Sequence, residues 1–533
     1  MIISKHLPRY YLSFMVFLLV GLITLKLTEP QFFHTTPTIS DPLYPSPTSI
    51  YVNKSIVLDE NLPQPIRESV SNFVKNNTNY QYKVDDGISI SSIETPNLIY
   101  REIWTYTTLF NSLREEVTDS EIPNLSKLYV LTTTDDFPTT GISPDNIIKV
   151  NNQVDLLTQM TKDDIALVKF DELIPQLKVL TYNNQSILDK TITNDQWTTS
   201  INYYLSENAP SDLVEYFKTQ PNSKRDISKL TTLVMTGVTA ISRGVEYEIR
   251  THNDPIFPAR GVMDVLLKAD LTHVDSENPF FEGCIPADEG IVLCGLPRSI
   301  ESLKAIGTDI VDLTGNHQND YGPEKNLESI GYLEAAGFSY VGGGKDVNDA
   351  AKILYKVVNG TKLAFLGYAY FDSLNGPTYR SLAQEDYPGT NFYDEEKLKA
   401  DIQTAKANAD FVIVDYQFIE NYSYEPIPGQ YDVFRNTIDL GADLVVGVQS
   451  HQPQFIEFRD GKPIFYGLGN LFFDQMWSLG TRQGIIPRFT FYNGKLISIE
   501  VMTTLLYEYA QPRFVTGKDR LNILNEVLPA NVY

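Results

Sequence analysis

A chain of 533 residues is too long for one hydrophobic core, and its length predicts two or three domains. Its composition, 42% apolar and 21% charged, is that of a globular protein. The 67 Asp and Glu residues outnumber the 43 Lys and Arg residues, and the resulting net charge of -24 argues against nucleic acid or an anionic membrane surface as the main partner.

The first 28 residues have the pattern of a signal anchor. Lys5 and Arg9 lie in a basic stub, residues 1–10, and residues 11–25 form an almost wholly apolar run within the predicted anchor, residues 11–28. This order predicts one membrane-spanning helix with the bulk of the chain outside the cytoplasm. No A-x-A cleavage site follows, so we expect the anchor to be retained, with cleavage as a signal peptide as the alternative.

A linker and a small domain are predicted next. Residues 29–50, rich in Pro, Thr and Ser, predict an extended linker. Residues 51–226 predict a small α/β domain, with a helix near 66–74 and buried strands near 127–131 and 165–168. Two interpretations stay open for this domain: it has no ligand of its own, or it is similar to one lobe of a periplasmic solute-binding protein.

From residue 229 to 505, near-continuous apolar runs alternate with helix-like stretches, which predicts buried sheets covered by helices. The strand-like runs are 231–236, 271–274, 310–313, 362–366, 411–414 and 444–446, and the helix-like stretches include 324–336, 395–408 and 433–440. Near the end, 484–492 and 496–504 flank Asn493-Gly494, a hairpin signal that makes part of the sheet antiparallel. Residues 506–533 carry no motif and are treated as a tail.

The chain has two cysteines, Cys284 and Cys294, in one loop-like segment. In an oxidising compartment their proximity predicts a small-loop disulfide, and two reduced thiols are the alternative. No CxxC or Cys/His pattern indicates a zinc site.

Polar residues follow five of the predicted strands. They lie at 237–244, 275–278, 316–320, near 417, and at 449–454. Ligands of α/β folds bind outside the carboxyl ends of strands, so we expect these clusters to share one edge. Oxygen and imidazole side chains that converge from several strands suit a divalent cation.

Two stretches resemble a known family. TGNHQNDYG, residues 314–322, resembles the motif NNHxxDYG, and GKPIFYGLGNLFFDQ, residues 461–475, resembles GKPIFYSLGNFxFDQ. Both motifs belong to the CapA family, also called the poly-γ-glutamate synthesis protein family, and the resemblance covers about half of the chain. It implies a metallophosphatase-like fold with four αββα layers, in which two packed mixed sheets are flanked by helices.

The chain departs from the family at several ligand positions. Val238 stands where the family's opening motif GDxMxGRG has Asp, Asp275 stands at the Asn of its NLE motif, and Gln417 and Gln449 replace histidines of its HWG and HPH motifs. The donors that still match the family are Glu277, Asn316, His317 and His451. The auxiliary candidates are Asp275, Asp320, Gln417, Gln449 and Arg243.

The resemblance implies that these donors bind a divalent metal, Mn, Zn, Fe or Mg. A two-metal site needs more anionic and imidazole ligands than remain, so we expect at most one ion. Asn316 would orient the metal or a substrate oxygen, and His317 would stabilise developing charge or protonate a leaving group. No nucleotide or organic cofactor is indicated.

The resemblance implies a membrane-anchored, extracytoplasmic protein of capsule or cell-envelope polymer synthesis or export. It would act as a metal-dependent hydrolase or transferase, and the alternative is a catalytically degenerate domain that binds or positions the polymer without turnover. The expected partners are the polymer, poly-γ-glutamate or polysaccharide, the membrane and other capsule-synthesis proteins. A net charge of -24 repels a polyanion, so a local basic cleft near Arg243, Arg250 and Arg260 would be needed.

Overall fold

The computed structural model describes residues 54–59, 61–83, 87–138, 141–287, 289–370 and 381–529. The predicted basic stub, membrane anchor and linker, residues 1–50, lie outside the described residues. Within these ranges, no helix combines the length and apolar character that crossing a membrane requires. From Asn53 onward the chain forms one compact unit.

The first part of the unit holds a seven-stranded mixed sheet, the N-terminal sheet. In spatial order its strands are Ile90–Ser91, Ser200–Leu205, Leu98–Leu109, Ala166–Lys169, Leu128–Leu131 and Ile147–Val150, with Leu177–Val179 also paired to Leu98–Leu109. The helices of this part are Gln64–Asn76, Gln153–Gln159 and Ser211–Lys218. Two short parallel pairs, Lys54–Val57 with Tyr80–Lys83 and Glu116–Val117 with Thr181–Tyr182, accompany it. The predicted helix and the two predicted strands of this region are confirmed.

Seven strands form the first large sheet of the remaining chain, sheet I. In spatial order they are Ser339–Val341, Ile310–Asp312, Leu271–Ser276, Leu230–Thr239, Gln483–Tyr492, Lys495–Tyr507 and Gln511–Phe514. The first four are parallel and the last three are antiparallel to their neighbours. Asn493 and Gly494 turn the predicted hairpin with φ values of 50° and 77°, the left-handed conformation that such tight turns require.

Six strands form the second large sheet, sheet II. In spatial order they are Leu354–Val358, Thr361–Ala369, Phe411–Gln417, Leu444–Val448, Lys462–Phe465 and Ile456–Arg459. The middle pairings are parallel and the two outer ones are antiparallel. A separate short pair joins Gly343–Gly344 to Gly389–Thr390. All the strand-like runs predicted between 231 and 446 are confirmed.

Sheets I and II pack face to face over one apolar cluster, the intersheet core. Leu271 and Ile310 of sheet I contact Phe365, Ile413 and Val446 of sheet II there, all buried. Alternate residues of each sheet face outward, against helices Arg243–His252, Met263–Leu266, Glu301–Ala305 and Pro323–Ala335 on sheet I and Glu395–Asn408 and Pro428–Asp439 on sheet II. The predicted order of two packed mixed sheets between helical layers is therefore confirmed.

The remaining helices are Val347–Ala350, Leu479–Arg482 and Gly517–Val527. The last of these lies in the segment 506–533, where the sequence shows no motif. Ile523, Leu524 and Val527 enter the intersheet core from this helix. The C-terminal segment thus closes one end of that core.

The N-terminal sheet packs on the hairpin of sheet I through a shared apolar cluster. Tyr492 and Ile497 of the hairpin join Phe170 and Trp197 in this cluster, and the Phe170 and Tyr492 rings meet edge to face at 5.0 Å. At the boundary between the predicted domains 51–226 and 229–505, Arg225 is buried and donates to the carbonyl oxygens of Ile187 and Asp189 at 2.9 Å. The boundary segment is therefore packed against the N-terminal part.

Substituting Val446→Ala tests the intersheet core. The change removes two buried methyl groups, and we expect the free energy of unfolding to fall by about 2 kcal/mol. The matched control is Val357→Ala on an edge strand of sheet II, where the side chain is 66% exposed and the expected loss is below about 0.5 kcal/mol. Guanidinium unfolding of the detergent-purified chain measures both, and equal losses would contradict the described packing.

Candidate functional site

Polar side chains from both sheets meet where their parallel strands end. This strand-end edge consists of six residues: Glu277, Asn316, His317, Gln417, Gln449 and His451. Asn316 follows a strand of sheet I, whereas Gln417 ends one strand of sheet II and Gln449 follows the next. The Gln417 Nε2 donates to Asn316 Oδ1 at 3.3 Å and to the side-chain oxygen of Gln449. The predicted shared edge therefore spans the two sheets.

Three amide side chains at this edge are linked by hydrogen bonds. Asn316 and Gln449 both use their side-chain oxygen to accept from Gln417, and the Oε1 of Gln417 has no hydrogen-bond partner within the described ranges. Neutral amide oxygens bring no charge to a cation and bind transition metals weakly. Gln417 and Gln449 thus form a hydrogen-bonded link at positions where the family has histidines.

The turn that carries Gln449 and His451 has an unusual backbone. Gln449 has a φ of 80° and His451 a φ of 54°, both in the left-handed region that non-glycine residues rarely adopt. Such conformations persist where the surrounding structure imposes them, and they concentrate at functional sites. Here the turn places the Gln449 side chain against Gln417, whereas the His451 side chain lies against Asn470, Tyr422 and Phe473.

Val238 lies in an apolar cluster beside the edge. It is fully buried with Ala240, Leu293, Val448 and Phe473. Its neighbours in the backbone register are Asp275 and Asn470, and the Val238 side chain itself offers no donor to a cation. The departure from the family at Val238 is therefore built into the local packing.

His317 is oriented by a carboxylate. Its Nδ1 lies 2.7 Å from Asp320 Oδ2, which also accepts from the Leu293 amide at 2.7 Å. Burial lowers the pKa of His317, but the hydrogen bond to Asp320 and the negative charge of Glu277 outweigh it and raise that pKa above its usual value. A carboxylate on Nδ1 leaves Nε2 as the nitrogen available for a metal or a proton.

Glu277 is the buried carboxylate of the edge. It is 1% exposed, and its Oε2 has no hydrogen-bond partner in the described part of the chain. The negative charge of Glu277 raises the pKa of His317. Burial and the neighbouring Glu420 raise the pKa of Tyr422, and the charge of Glu277 adds a smaller effect in the same direction. Among the described residues, Glu277 therefore has an unpaired Oε2 atom, and its charge acts on the His317 imidazole.

His451 is held by an asparagine of the second family motif. Its Nδ1 lies 3.0 Å from Asn470 Oδ1, and Asn470 also donates to the backbone oxygens of His451 at 3.2 Å and Thr481 at 3.0 Å. The His451 ring contacts Tyr422 and Phe473, with ring centroids 5.5 and 5.1 Å apart. Asn470 thus fixes the imidazole, a role that the sequence did not indicate.

Arg243 pairs with a residue of the motif that ends at Gln475. Its Nη2 donates to Asp474 Oδ1 at 2.6 Å, and the Gly244 amide donates to Asp474 Oδ2 at 3.0 Å. Arg243 also donates to the carbonyl oxygen of Gly290 at 2.6 Å. One carboxylate therefore joins two family motifs that lie far apart in the chain.

Cys284 and Cys294 form a disulfide, with their Cα atoms 6.1 Å apart. The loop that they close contains Gly290, the acceptor for Arg243, and Leu293, whose amide binds Asp320. A covalent closure limits the conformations of this loop in the unfolded chain. The disulfide thereby supports contacts on which Arg243 and His317 depend.

A second set of ionisable residues, the buried ionisable cluster, consists of His273, Asp275, Asp312 and Asp415, all within strands. Sequence reasoning named Asp275 as an auxiliary candidate and missed the other three. Within the described residues, donor atoms of His273, Asp312 and Asp415 lie within 4.8 Å of one another, a spacing that Glu277, His317 and His451 do not reach. The signal in the sequence is a polar residue at alternate positions of adjacent strands. It is weak because the rest of each run is apolar, as expected for a core strand.

The charge states in this cluster depend on one another. Burial, reinforced by the charges of Asp312 and Glu277, raises the pKa of Asp275 well above its usual range. Burial, together with the charge of Asp415, raises the pKa of Asp312 to about 7. Burial lowers the pKa of His273, but Asp415 outweighs it and raises that pKa. Each ionised carboxylate therefore makes it harder for the neighbouring buried carboxyl groups to lose their protons.

The fold and the strand-end edge define a two-sheet protein with a polar site between its sheets. Residues 232–475 match the family model of the bacterial capsule synthesis protein PGA_cap. Together with the similarity to proteins named CapA, this match shows that residues 232–475 form a domain similar to that family.

Two curated relatives illustrate the similarity. A Bacillus anthracis protein named capsule biosynthesis protein CapA is 29% identical over 306 residues, which cover 56% of this chain and 72% of that protein. A Bacillus subtilis (strain 168) protein named PGA biosynthesis protein CapA is 32% identical over 228 residues, 42% of this chain and 56% of that protein. The shared segment is therefore only part of each protein.

Among solved structures, a 5′-nucleotidase precursor from Thermus thermophilus aligns with 53% of this chain and 56% of its own, at 16% identity and a TM-score of 0.33. A score at this level does not establish a common fold. The four-layer architecture rests on the packing of sheets I and II themselves.

The Asp474→Ala variant tests the link between the two family motifs. The change removes both acceptors of Arg243 and Gly244, whose ion pair is 15% and 13% exposed, and we expect a loss of about 2–3 kcal/mol in the free energy of unfolding. Asp439→Ala is the matched control, since its pair with Arg459 has the same 2.6 Å separation but is 41% and 40% exposed and should contribute below about 1 kcal/mol. Chemical unfolding distinguishes the two, and a smaller loss at Asp474 would contradict the proposed link.

Proposed function

We propose that this chain acts in the synthesis or export of a capsular or cell-envelope polymer. The similarity to proteins named for capsule and PGA biosynthesis supports this role. The observation that carries it is the strand-end edge, where Asn316, which follows a strand of sheet I, is hydrogen-bonded to Gln417 of sheet II, and Gln417 to Gln449. This edge is where a segment of polymer would bind.

The geometry favours binding or positioning of the polymer over two-metal hydrolysis. A metallophosphatase-like reaction requires enough anionic and imidazole ligands to hold two cations close together. Val238 instead packs among apolar side chains, and Gln417 and Gln449 hydrogen-bond to each other. The residues present therefore do not fit a two-metal centre.

A hydrolase or transferase with a single divalent ion is the second candidate function. The observation that favours it is the unpartnered Oε2 of Glu277 beside an imidazole that Asp320 orients. Glu277, His317 and His451, with Asn316, would hold Mn, Zn, Fe or Mg, which would supply Lewis-acid chemistry when bound. This chain's own contribution would be to present the His317 Nε2 and to keep the amide link in place.

The charge of the chain bears on the kind of polymer. Arg243 is paired with Asp474, and Arg260 lies 2.5 Å from Asp254, so two of the three candidate cationic side chains are neutralised. With a net charge of -24, long-range attraction of a polyanion is absent. The arrangement therefore favours a neutral glycan, or a polyglutamate whose charge is balanced by cations.

A complementation experiment tests the polymer role. In the bacterium that carries this chain, deletion of its gene is expected to reduce cell-associated polymer, and the wild-type gene to restore it. If the edge positions the polymer, the isosteric Glu277→Gln variant restores it too, whereas His317→Trp, which fills the edge, does not. Loss of polymer in Glu277→Gln would favour the metal-dependent reaction instead.

The matched control is Glu301→Gln, which changes an exposed carboxylate on an outer helix and should behave as wild type. The readout is the amount of glutamate and of sugars released by hydrolysis of washed cells. An unchanged polymer content in the deletion strain would contradict the proposed role.

We further propose that residues 11–28 anchor the chain, with the folded part outside the cytoplasm beside other capsule-synthesis proteins. The support is the basic stub with Lys5 and Arg9 before the apolar run. The chain should sediment with membranes and be digested by protease added to spheroplasts. Leu18→Lys, which places a charge in the run, should reduce membrane retention, and a soluble mature chain without residues 1–28 would contradict the anchor.

A further inference from the structure

The buried ionisable cluster lies inside the intersheet core, below the strand-end edge. None of its four residues, His273, Asp275, Asp312 and Asp415, is more than 3% exposed. Side chains alternate along a strand, so these residues face the same way as the apolar members of the intersheet core on their strands. Sheet I supplies three of the groups and sheet II supplies Asp415.

Several polar atoms of the cluster lack partners. Both ring nitrogens of His273, both carboxylate oxygens of Asp275 and the Oδ2 of Asp415 have no hydrogen-bond partner in the described part of the chain. Native proteins satisfy nearly all buried polar atoms, because an unpaired buried charge costs several kcal/mol. A cation bound between these groups would pair the carboxylates and the imidazole at once.

The spacing of the donor atoms matches a metal site better than a hydrogen bond. His273 Nε2 and Asp415 Oδ2 are 3.4 Å apart. A charge-assisted hydrogen bond between such groups is about 2.7–2.9 Å long. Two ligands bound about 2.0–2.1 Å from one tetrahedral ion are about 3.4 Å apart.

The surrounding residues keep the cluster compact. The His273 ring stacks on Phe365 with centroids 5.8 Å apart and an interplanar angle of 12°. A Cβ at Gly342 would lie 2.6 Å from Asp312 Oδ1, and one at Gly367 would lie 2.7 Å from the Gly342 Cα. Gly342, which follows the strand Ser339–Val341, and Gly367, within the strand Thr361–Ala369, thus leave room for the Asp312 carboxylate.

We propose that His273, Asp312 and Asp415 bind one divalent transition-metal cation between sheets I and II, beside the buried carboxylate of Asp275. An imidazole nitrogen with carboxylate oxygens suits Zn²⁺ or Mn²⁺ better than Ca²⁺, which prefers oxygen ligands alone. The ion cancels two of the negative charges and ties the two sheets together. Because the cluster is buried, the ion is incorporated as the chain folds.

This site is separate from the strand-end edge and shares none of its six residues. The competing explanation is an ion-free cluster in which the carboxylates share protons. The two explanations predict opposite signs for a neutralising substitution. Replacing a metal ligand removes the ion and destabilises the chain, whereas neutralising one of several repelling carboxylates stabilises it.

The first measurement is the metal content of the full chain, purified in detergent and dialysed against EDTA, by mass spectrometry of the elements. We expect about one zinc or manganese ion per chain, because the ion is buried. Asp415→Asn should lower the bound metal by roughly tenfold or more. His317→Ala, at the strand-end edge, and Glu246→Gln, a buried carboxylate outside the cluster, should leave it unchanged.

The second measurement keeps the proposal testable if Asp415→Asn does not fold. The wild-type chain is unfolded and refolded with EDTA, Zn²⁺ or Mn²⁺, and the melting temperature should be higher with the metal. The Asp312→Asn variant should lose this metal-dependent difference and melt at a lower temperature than wild type.

Three results would overturn the proposal: a folded wild-type chain without metal, a metal that His317→Ala removes and Asp415→Asn retains, or an Asp312→Asn variant more stable than wild type. The second result would assign the ion to the strand-end edge. None of them bears on the polymer role, which the complementation experiment decides.

Discussion

The packing of sheets I and II over one apolar core is the constraint on which the rest of the structure depends. Leu271 and Ile310 on one sheet meet Phe365 and Ile413 on the other, and burial of such side chains is the main favourable contribution to folding. The same packing fixes the strand ends relative to one another. A shift of one residue in any strand would turn its core side chains outward and withdraw its polar end from the edge.

Along the strands, the intersheet space changes from apolar to ionisable to hydrogen-bonding. Ile413, Asp415 and Gln417 follow each other at alternate positions of one strand and show all three layers. Gln417 hydrogen-bonds to Gln449 in the last of these layers, and Val238 packs among apolar side chains beside it.

The strands, the helices and the family motifs were predictable because they depend on local periodicity and on short stretches of chain. The hairpin at Asn493-Gly494 and the helix Glu395–Asn408 are examples. The pairing of Arg243 with Asp474 was not predictable, since the two residues are 231 positions apart and meet only when Gly244 approaches the Asp474 side chain. His273 and Asp312 were missed because single polar residues in apolar runs give no signal until strand register places them together.

The sequence by itself determined the class of fold, the CapA resemblance and the residues at the strand ends, because hydrophobic alternation and motifs are properties of neighbouring positions. The tertiary structure alone decided which of those residues touch. It hydrogen-bonded Gln417 to Asn316 and Gln449. It also placed His317 beside Asp320 and His451 beside Asn470, and it brought the buried ionisable cluster together in the core. Hydrogen bonds and ligand sets require contact within a few ångströms, and only the packing of distant segments sets those distances.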